Sequence, residues 1–181
     1  MNPQQDAIIS IGMVPFSLEA IRPSAGHYWV VKPPWGLSAE SIAFHHITHS
    51  EVAAAPALNN VLGEILAAMA GHVPEVHFRH IERPFLDNAG TALRGEHCLF
   101  PLIDTMSIAA DHTRHGLLAR LRRLLGMRQE SIRLADSRER YNLPAYTSHH
   151  AKVDAMATAE LFQAQIACHY SPDIPIGDLW L

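Results

Sequence analysis

Two residues five apart, His149 and Asp154, offer the chemistry of a hydrolytic half-site. An imidazole titrates near neutral pH and can take a proton from water. A carboxylate is an oxygen donor to a hard divalent cation. Both belong to His149-His150-Ala151-Lys152-Val153-Asp154-Ala155-Met156-Ala157-Thr158-Ala159-Glu160-Leu161-Phe162, which reads as a loop running into a helix. Ala155, Ala159, Phe162 and Ile166 recur at helical spacing, so the helix is predicted from about Asp154 to about His169. Asp154 falls in its first turn, where the helix dipole favours negative charge. His149 lies on the incoming loop, within reach of the same site. The spacing equally describes an ordinary helix start with an acid near the cap and two solvent histidines.

The chain that must position this pair has 181 residues, 48% of them apolar, enough for one domain with a sizeable core. The domain is expected over residues 1–170, with a loose tail rich in Pro and Asp over 171–181. No apolar run reaches about 18 residues, so no membrane span is expected. Residues 1–6 lack the basic and apolar regions of a signal peptide. Cys98 and Cys168 lie far apart, which suits reduced thiols in a cytoplasmic protein. A net charge of −4 argues against a general nucleic-acid coat. Yet eight of the 14 Lys and Arg fall between His112 and Arg140, against three acids. They suit a phosphate backbone or a solvated face of amphipathic helices.

The elements follow from periodicity and punctuation. Ala7 to Val14 is a β-rich run stopped by Pro15, and Ser17–Arg22 and Tyr28–Val31 read as further strands about a turn at Pro23-Ser24-Ala25-Gly26. Pro56 opens a helix on which Leu58, Val61, Leu62, Ile65, Leu66 and Met69 recur, and Gly71 can end it. A strand over Val73–Phe78 leads into a helix over Arg79–Leu93, where Pro84 predicts a late start or a kink. Leu99–Ile103 is a candidate strand, and Asp104 can cap a helix over Thr105–Ala110. An apolar stripe from Leu117 to Leu125 leaves Arg120, Arg122 and Arg123 turned away, and Ser131 is expected to cap a helix through Tyr141. Strands first, then helices alternating with strands, predict an α/β or α+β sheet with helices on its faces.

Three stretches taken together carry a resemblance: His149 to Phe162, Val76-His77-Phe78-Arg79-His80-Ile81-Glu82-Arg83-Pro84-Phe85-Leu86-Asp87, and Ile103-Asp104-Thr105-Met106-Ser107-Ile108-Ala109. In this order and spacing they resemble the 3′–5′ exonucleases of the polymerase III proofreading-subunit type. His45-His46-Ile47-Thr48 looks like that family's His-Gly-Ile-Thr loop, with His46 in place of the glycine, and Arg133 to Pro144 resembles the segment before its last motif. The resemblance implies a ribonuclease H-like mixed sheet with flanking helices. It implies two Mg²⁺ or Mn²⁺ ions about 4 Å apart acting on a phosphodiester. By position His149 would be the general base, and Asp154 and Glu82 metal ligands, Glu82 standing where the family has Asp. His45, His46, Ile47 and Thr48 would lie near the 3′-terminal nucleotide. A structural loop, or a metal site of His45, His46 and His49, competes for the same residues.

One departure matters. The family's first motif, Asp-x-Glu-Thr-Thr-Gly, supplies two carboxylates from a central strand and belongs just before Ala7, while residues 1–6 match the loop after it. The resemblance therefore implies a missing first strand, with Met1 an internal methionine and the motif encoded upstream. Residues 1–181 alone are then expected to show little or no activity. The implied substrates are single-stranded or frayed 3′ ends of DNA or RNA, with a polymerase or a second copy of the chain as protein partner. The alternatives are a catalytically inactive exonuclease-like domain that binds nucleic acid or protein, and an unrelated His-rich metal hydrolase. For the last, no His-x-x-x-His with a third ligand is evident.

Overall fold

The computed structural model describes residues 6–34, 47–114, 124–126 and 129–181. The apolar run after Ala7 becomes strand β1 (Ser10–Met13), and the aromatic run after Gly26 becomes strand β2 (His27–Val30). They pair antiparallel, with Gly12 opposite Tyr28 and Ser10 opposite Val30. Between them Pro23–Ala25 forms one turn of 3-10 helix. The strand expected over residues 17–22 is a turn instead. Ser17 Oγ accepts the N–H groups of Glu19 and Ala20, and a single bridge from Phe16 to Ile21 closes it. A serine that bonds its own following backbone competes with a ladder.

Helix α1 (His49–Ala54) starts on a capping box. Thr48 Oγ1 accepts from the Glu51 N–H while the Glu51 carboxylate accepts from the Thr48 N–H. Helix α2 (Leu58–Met69) follows, burying Val61, Leu62 and Ile65, and ends before Gly71 at φ 78°. Strand β3 (Glu75–Val76) pairs parallel with strand β4 (Ile103–Asp104). Helix α3 (Arg79–Arg94) is their crossover. It runs unbroken through Pro84, because its start is fixed at Arg79 by Asp104 and not by the proline. Helix α4 (Thr105–Arg114) leaves β4 directly, helix α5 (Leu134–Arg140) follows, and helix α6 (Ala151–His169) is the longest described.

Among the described residues the strands form two separate two-stranded sheets, β1–β2 and β3–β4. Both pack against α6, which also touches α4 and α5. Helix α6 buries Ala157, Thr158, Ala159, Leu161, Phe162, Gln165 and Ile166. A helix with neighbours on several sides needs small and apolar residues around most of its circumference. Ile103, Ile108, Phe162 and Ile166 form one core cluster. Val31, Val61 and Ile65 form a second beneath β1 and α2, and Ile9, Ile47 and Val52 a third. Arg138 on α5 is buried, donating to the carbonyls of Ala157 at 2.6 Å and Pro144 at 2.9 Å and pairing with Glu160 at 2.6 Å.

The tail over 171–181 is not loose. Ile174 and Leu179 pack on the first core cluster, the Leu181 N–H donates to Leu102 O at 2.9 Å, and Trp180 bridges Ile103. Its Pro and Asp content hides two apolar contacts, Ile174 and Leu179, and a backbone pairing of Trp180 and Leu181 along β4. No described helix is long and apolar enough to cross a membrane.

Candidate active site

The site is built where α6 begins. The helix starts at Ala151, three residues before the expected point, with His150 as its N-cap. The His150 carbonyl accepts the Val153 and Asp154 N–H groups at 2.8 and 2.9 Å. His149, just outside, has φ 75°, a conformation that costs a side-chain-bearing residue energy and needs support from its surroundings. The support is Asp154, whose carboxylate accepts the His149 N–H at 3.1 and 3.3 Å. The loop and the helix thus share one carboxylate. Burial pushes the Asp154 carboxyl up, and the His149 N–H and the nearby imidazoles of His149 and His150 pull it partly back.

Helix α6 can start here only because β1 lets it approach. A Cβ at Gly12 would lie 2.3 Å from the Ala151 and Lys152 backbone. Lys152 Nζ then reaches across to Gly26 O at 3.1 Å.

Glu82 is placed by the other sheet. Phe78 precedes α3 at φ 94° and offers no side-chain cap. Asp104, at the end of β4, supplies one from 26 residues away. Its Oδ1 accepts Phe78 N–H at 2.9 Å and its Oδ2 accepts Arg79 N–H at 3.1 Å. The same carboxylate accepts Met106 N–H at 3.0 Å and the Ser107 hydroxyl at 3.1 Å, capping α4 as expected. Asp104 is thereby consumed in holding two helix starts. Glu82 lies in the first turn of α3, with Oε2 buried and without a hydrogen-bond partner among the described residues. Burial pushes its carboxyl up to about 8, helped by the negative Asp104 and opposed by a backbone N–H.

Two neighbours escaped the sequence reading. Glu75 on β3 is held well above the ordinary carboxylate range by burial, then by Asp104, with Thr105 opposing and Glu82 adding to the rise. A glutamate in a short strand carries no sequence signal for burial. His77 bonds Thr105 Oγ1 at 2.9 Å and Ile132 O at 3.0 Å, and burial pulls its pKa down. Its place in the Val76–Asp87 stretch was the available signal.

Among the described residues no three His, Cys, Asp or Glu side chains converge as a metal-binding group. His149 and Asp154 are brought together at one helix start, while Glu82 stands at another. His45 and His46 lie outside the described residues, as do Arg120, Arg122 and Arg123. Ile47 is buried in the third core cluster and Thr48 caps α1, so both have structural tasks. Arg138 and Arg140 bond protein groups: Arg138 as above, and Arg140 the Ser131 carbonyl and the Ser137 hydroxyl.

The exonuclease family model, of the RNase T type, matches residues 1–162. The chain belongs to the exonuclease family. Its fold is ribonuclease H-like, as solved exonuclease structures show. The nuclease domain of 3′hExo, a DEDDh family member bound to rAMP, is 15% identical with a TM-score of 0.72, over 93% of this chain and 86% of that one. Exonuclease X, solved with 5′ overhanging duplex DNA, is 20% identical with a TM-score of 0.58, over 91% and 86%. Cell-death related nuclease 4 is 17% identical with a TM-score of 0.62, over 89% of this chain, which spans 57% of that nuclease's length. No curated protein matches the sequence. Exonuclease membership carries nuclease chemistry and nucleic-acid binding as the general function of this domain.

The family's hard divalent ions fit the donors at hand in kind. Glu82 presents a buried, unpartnered carboxylate oxygen, and burial pushes both Glu82 and Asp154 toward the protonated form. In number the described ligands are short of two ions.

Proposed function

We propose that this chain is a 3′–5′ exonuclease domain acting on single-stranded or frayed 3′ ends of DNA or RNA. The observation that carries the reading is the His149–Asp154 pair at the start of α6, where a base candidate and a carboxylate share one hydrogen bond. Asp154 and Glu82 would hold Mg²⁺ or Mn²⁺. When bound, the ions supply Lewis acidity and a more acidic water. His149 would remove the proton from the attacking water, on a strained backbone pinned by Asp154.

The remaining two carboxylates would come from a strand bearing Asp-x-Glu. Such a strand would lie between β1 and β3, which both pack on α6 and do not pair with each other among the described residues. A strand there would join the two sheets into one and satisfy both open edges. Protein partners of such a domain would be a polymerase or a second copy of the chain.

A non-catalytic domain that binds nucleic acid is the second reading, favoured by the absence of a three-ligand group among the described residues. A 3′-labelled oligonucleotide with Mn²⁺ separates the two. We expect little cleavage by residues 1–181, and 3′ mononucleotide release once an Asp-x-Glu strand is fused ahead of Met1. That activity should vanish in Asp154→Ala and fall at least about a hundredfold in His149→Ala. A strand-completed chain that binds the oligonucleotide without cutting it would decide for the second reading.

A further inference from the structure

We propose that His150 is a positioning residue for His149 and that it works by stacking on Tyr28. The inference rests on reading His149 and Asp154 as one half of the hydrolytic site. The His150 and Tyr28 rings lie face to face, with centroids 4.6 Å apart and 22° between planes. Tyr28 is a firm base for the stack. It sits in β2 opposite Gly12. His150 Nδ1 is buried with no hydrogen-bond partner among the described residues. That nitrogen makes no bond that could hold the ring, while the face of the ring rests on Tyr28.

The backbone of the same residue opens α6, its carbonyl accepting Val153 N–H and Asp154 N–H. The ring and the backbone carbonyl of one residue therefore join β2 to the first turn of the helix. The effect falls on His149, one residue earlier. A residue at φ 75° stays there only if both sides of it are fixed. Asp154 fixes it through the N–H, and the stacked His150 fixes it through the following peptide. Without the stack, His149 relaxes toward negative φ and its backbone N–H leaves the Asp154 carboxylate.

Amide hydrogen exchange, read residue by residue in the 181-residue chain, tests this without any catalysis. In His150→Ala and in Tyr28→Ala the His149 amide should exchange about tenfold faster, the loss of roughly one hydrogen bond's worth of local protection. The Leu161 amide, at the buried middle of α6, should keep its rate. His150→Phe keeps a ring on Tyr28 and removes the orphaned nitrogen, so its His149 amide should exchange at or below the wild-type rate. Three results would overturn the proposal: an unchanged His149 in His150→Ala, an equal loss at Leu161, or a Phe variant that behaves like the Ala variant. Failure of the nuclease reading is registered separately, by the cleavage assay.

Discussion

The backbone N–H of His149 donates to the Asp154 carboxylate at 3.1 Å across the start of α6, so the residue offered as a metal ligand also sets the shape of the loop that carries the base. The two tasks separate by substitution. Asp154→Asn retains an oxygen to accept the N–H and removes a charge that burial disfavours. Asp154→Ala removes both. Urea unfolding at pH 7 should place the Asn variant at or above wild type and the Ala variant about 1 kcal/mol below. Both should lose Mn²⁺-dependent cleavage in a strand-completed chain. Equal stability of the two variants would show that the loop does not depend on that hydrogen bond.

Glu82 makes stability depend on pH with a definite sign. Its carboxyl is raised from 4.5 to about 8 in the folded chain. Between those values the folded state keeps a proton that the unfolded state has released. The contribution is full below the lower value, declines as pH rises toward the upper one, and is flat beyond it. Glu82→Gln removes the ionisation and keeps the shape. Its stability relative to wild type should therefore grow from pH 5 to pH 8, by up to roughly 1.4 kcal/mol per pH unit. Chemical denaturation at several pH values reads this directly, and a constant offset between the two proteins would refute it.

Gly12 and Gly63 should respond oppositely to the same change. A Cβ at Gly12 meets the Ala151 carbonyl carbon at 2.3 Å, and backbone cannot swing aside as a side chain can. Gly12→Ala must push β1 off the start of α6, at a cost of about 3 kcal/mol or more, and should disturb His149 from a distance in sequence. Gly63, inside α2, faces only the end of the Arg94 side chain at 3.5 Å. Gly63→Ala should raise stability by about 0.5–1 kcal/mol through helix propensity. Thermal unfolding of the two variants provides the comparison.

Arg138 is a buried cation with four partners: the carbonyls of Ala157 and Pro144, the Glu160 carboxylate, and the Tyr146 ring 5.0 Å beneath its guanidinium. Arg138→Ala strands all four, and about 3–5 kcal/mol of stability should go with them. Arg138→Lys keeps the charge but not the planar fork, and should recover only part of the loss. A variant with wild-type stability would mean that these groups find water instead.

The parts of this fold that local patterns govern could be read in advance, and the parts that distant residues govern could not. Helix α2 follows from apolar residues at three- and four-residue spacing. The capping box of Thr48 and Glu51 is equally local, a threonine followed three residues later by a glutamate. The start of α6 was placed three residues late because His150 caps it with no side-chain hydrogen bond, leaving nothing in composition to mark it. Asp104 was read correctly as the cap of α4, but its larger task at α3 depends on a partner 26 residues away. The anchoring of Leu181 at Leu102 and the burial of Glu75 are likewise products of the assembled chain. At the candidate site, His149 and Asp154 can be related in sequence because they lie five residues apart, whereas no local pattern relates Glu82 to them.

The central place of α6 also sets an order of events. A ribosome releases β1, β2, β3 and β4 before it reaches Ala151, so each described strand emerges ahead of the helix both sheets rest on. Until then, Ile9, Val31 and Ile103, all buried in the finished fold, lack their cover or the brace behind it. The nascent chain is thus exposed to aggregation for most of its synthesis. Contacts such as Gly12 with Ala151 close very long loops, and forming them costs more chain entropy than the local contacts within a helix.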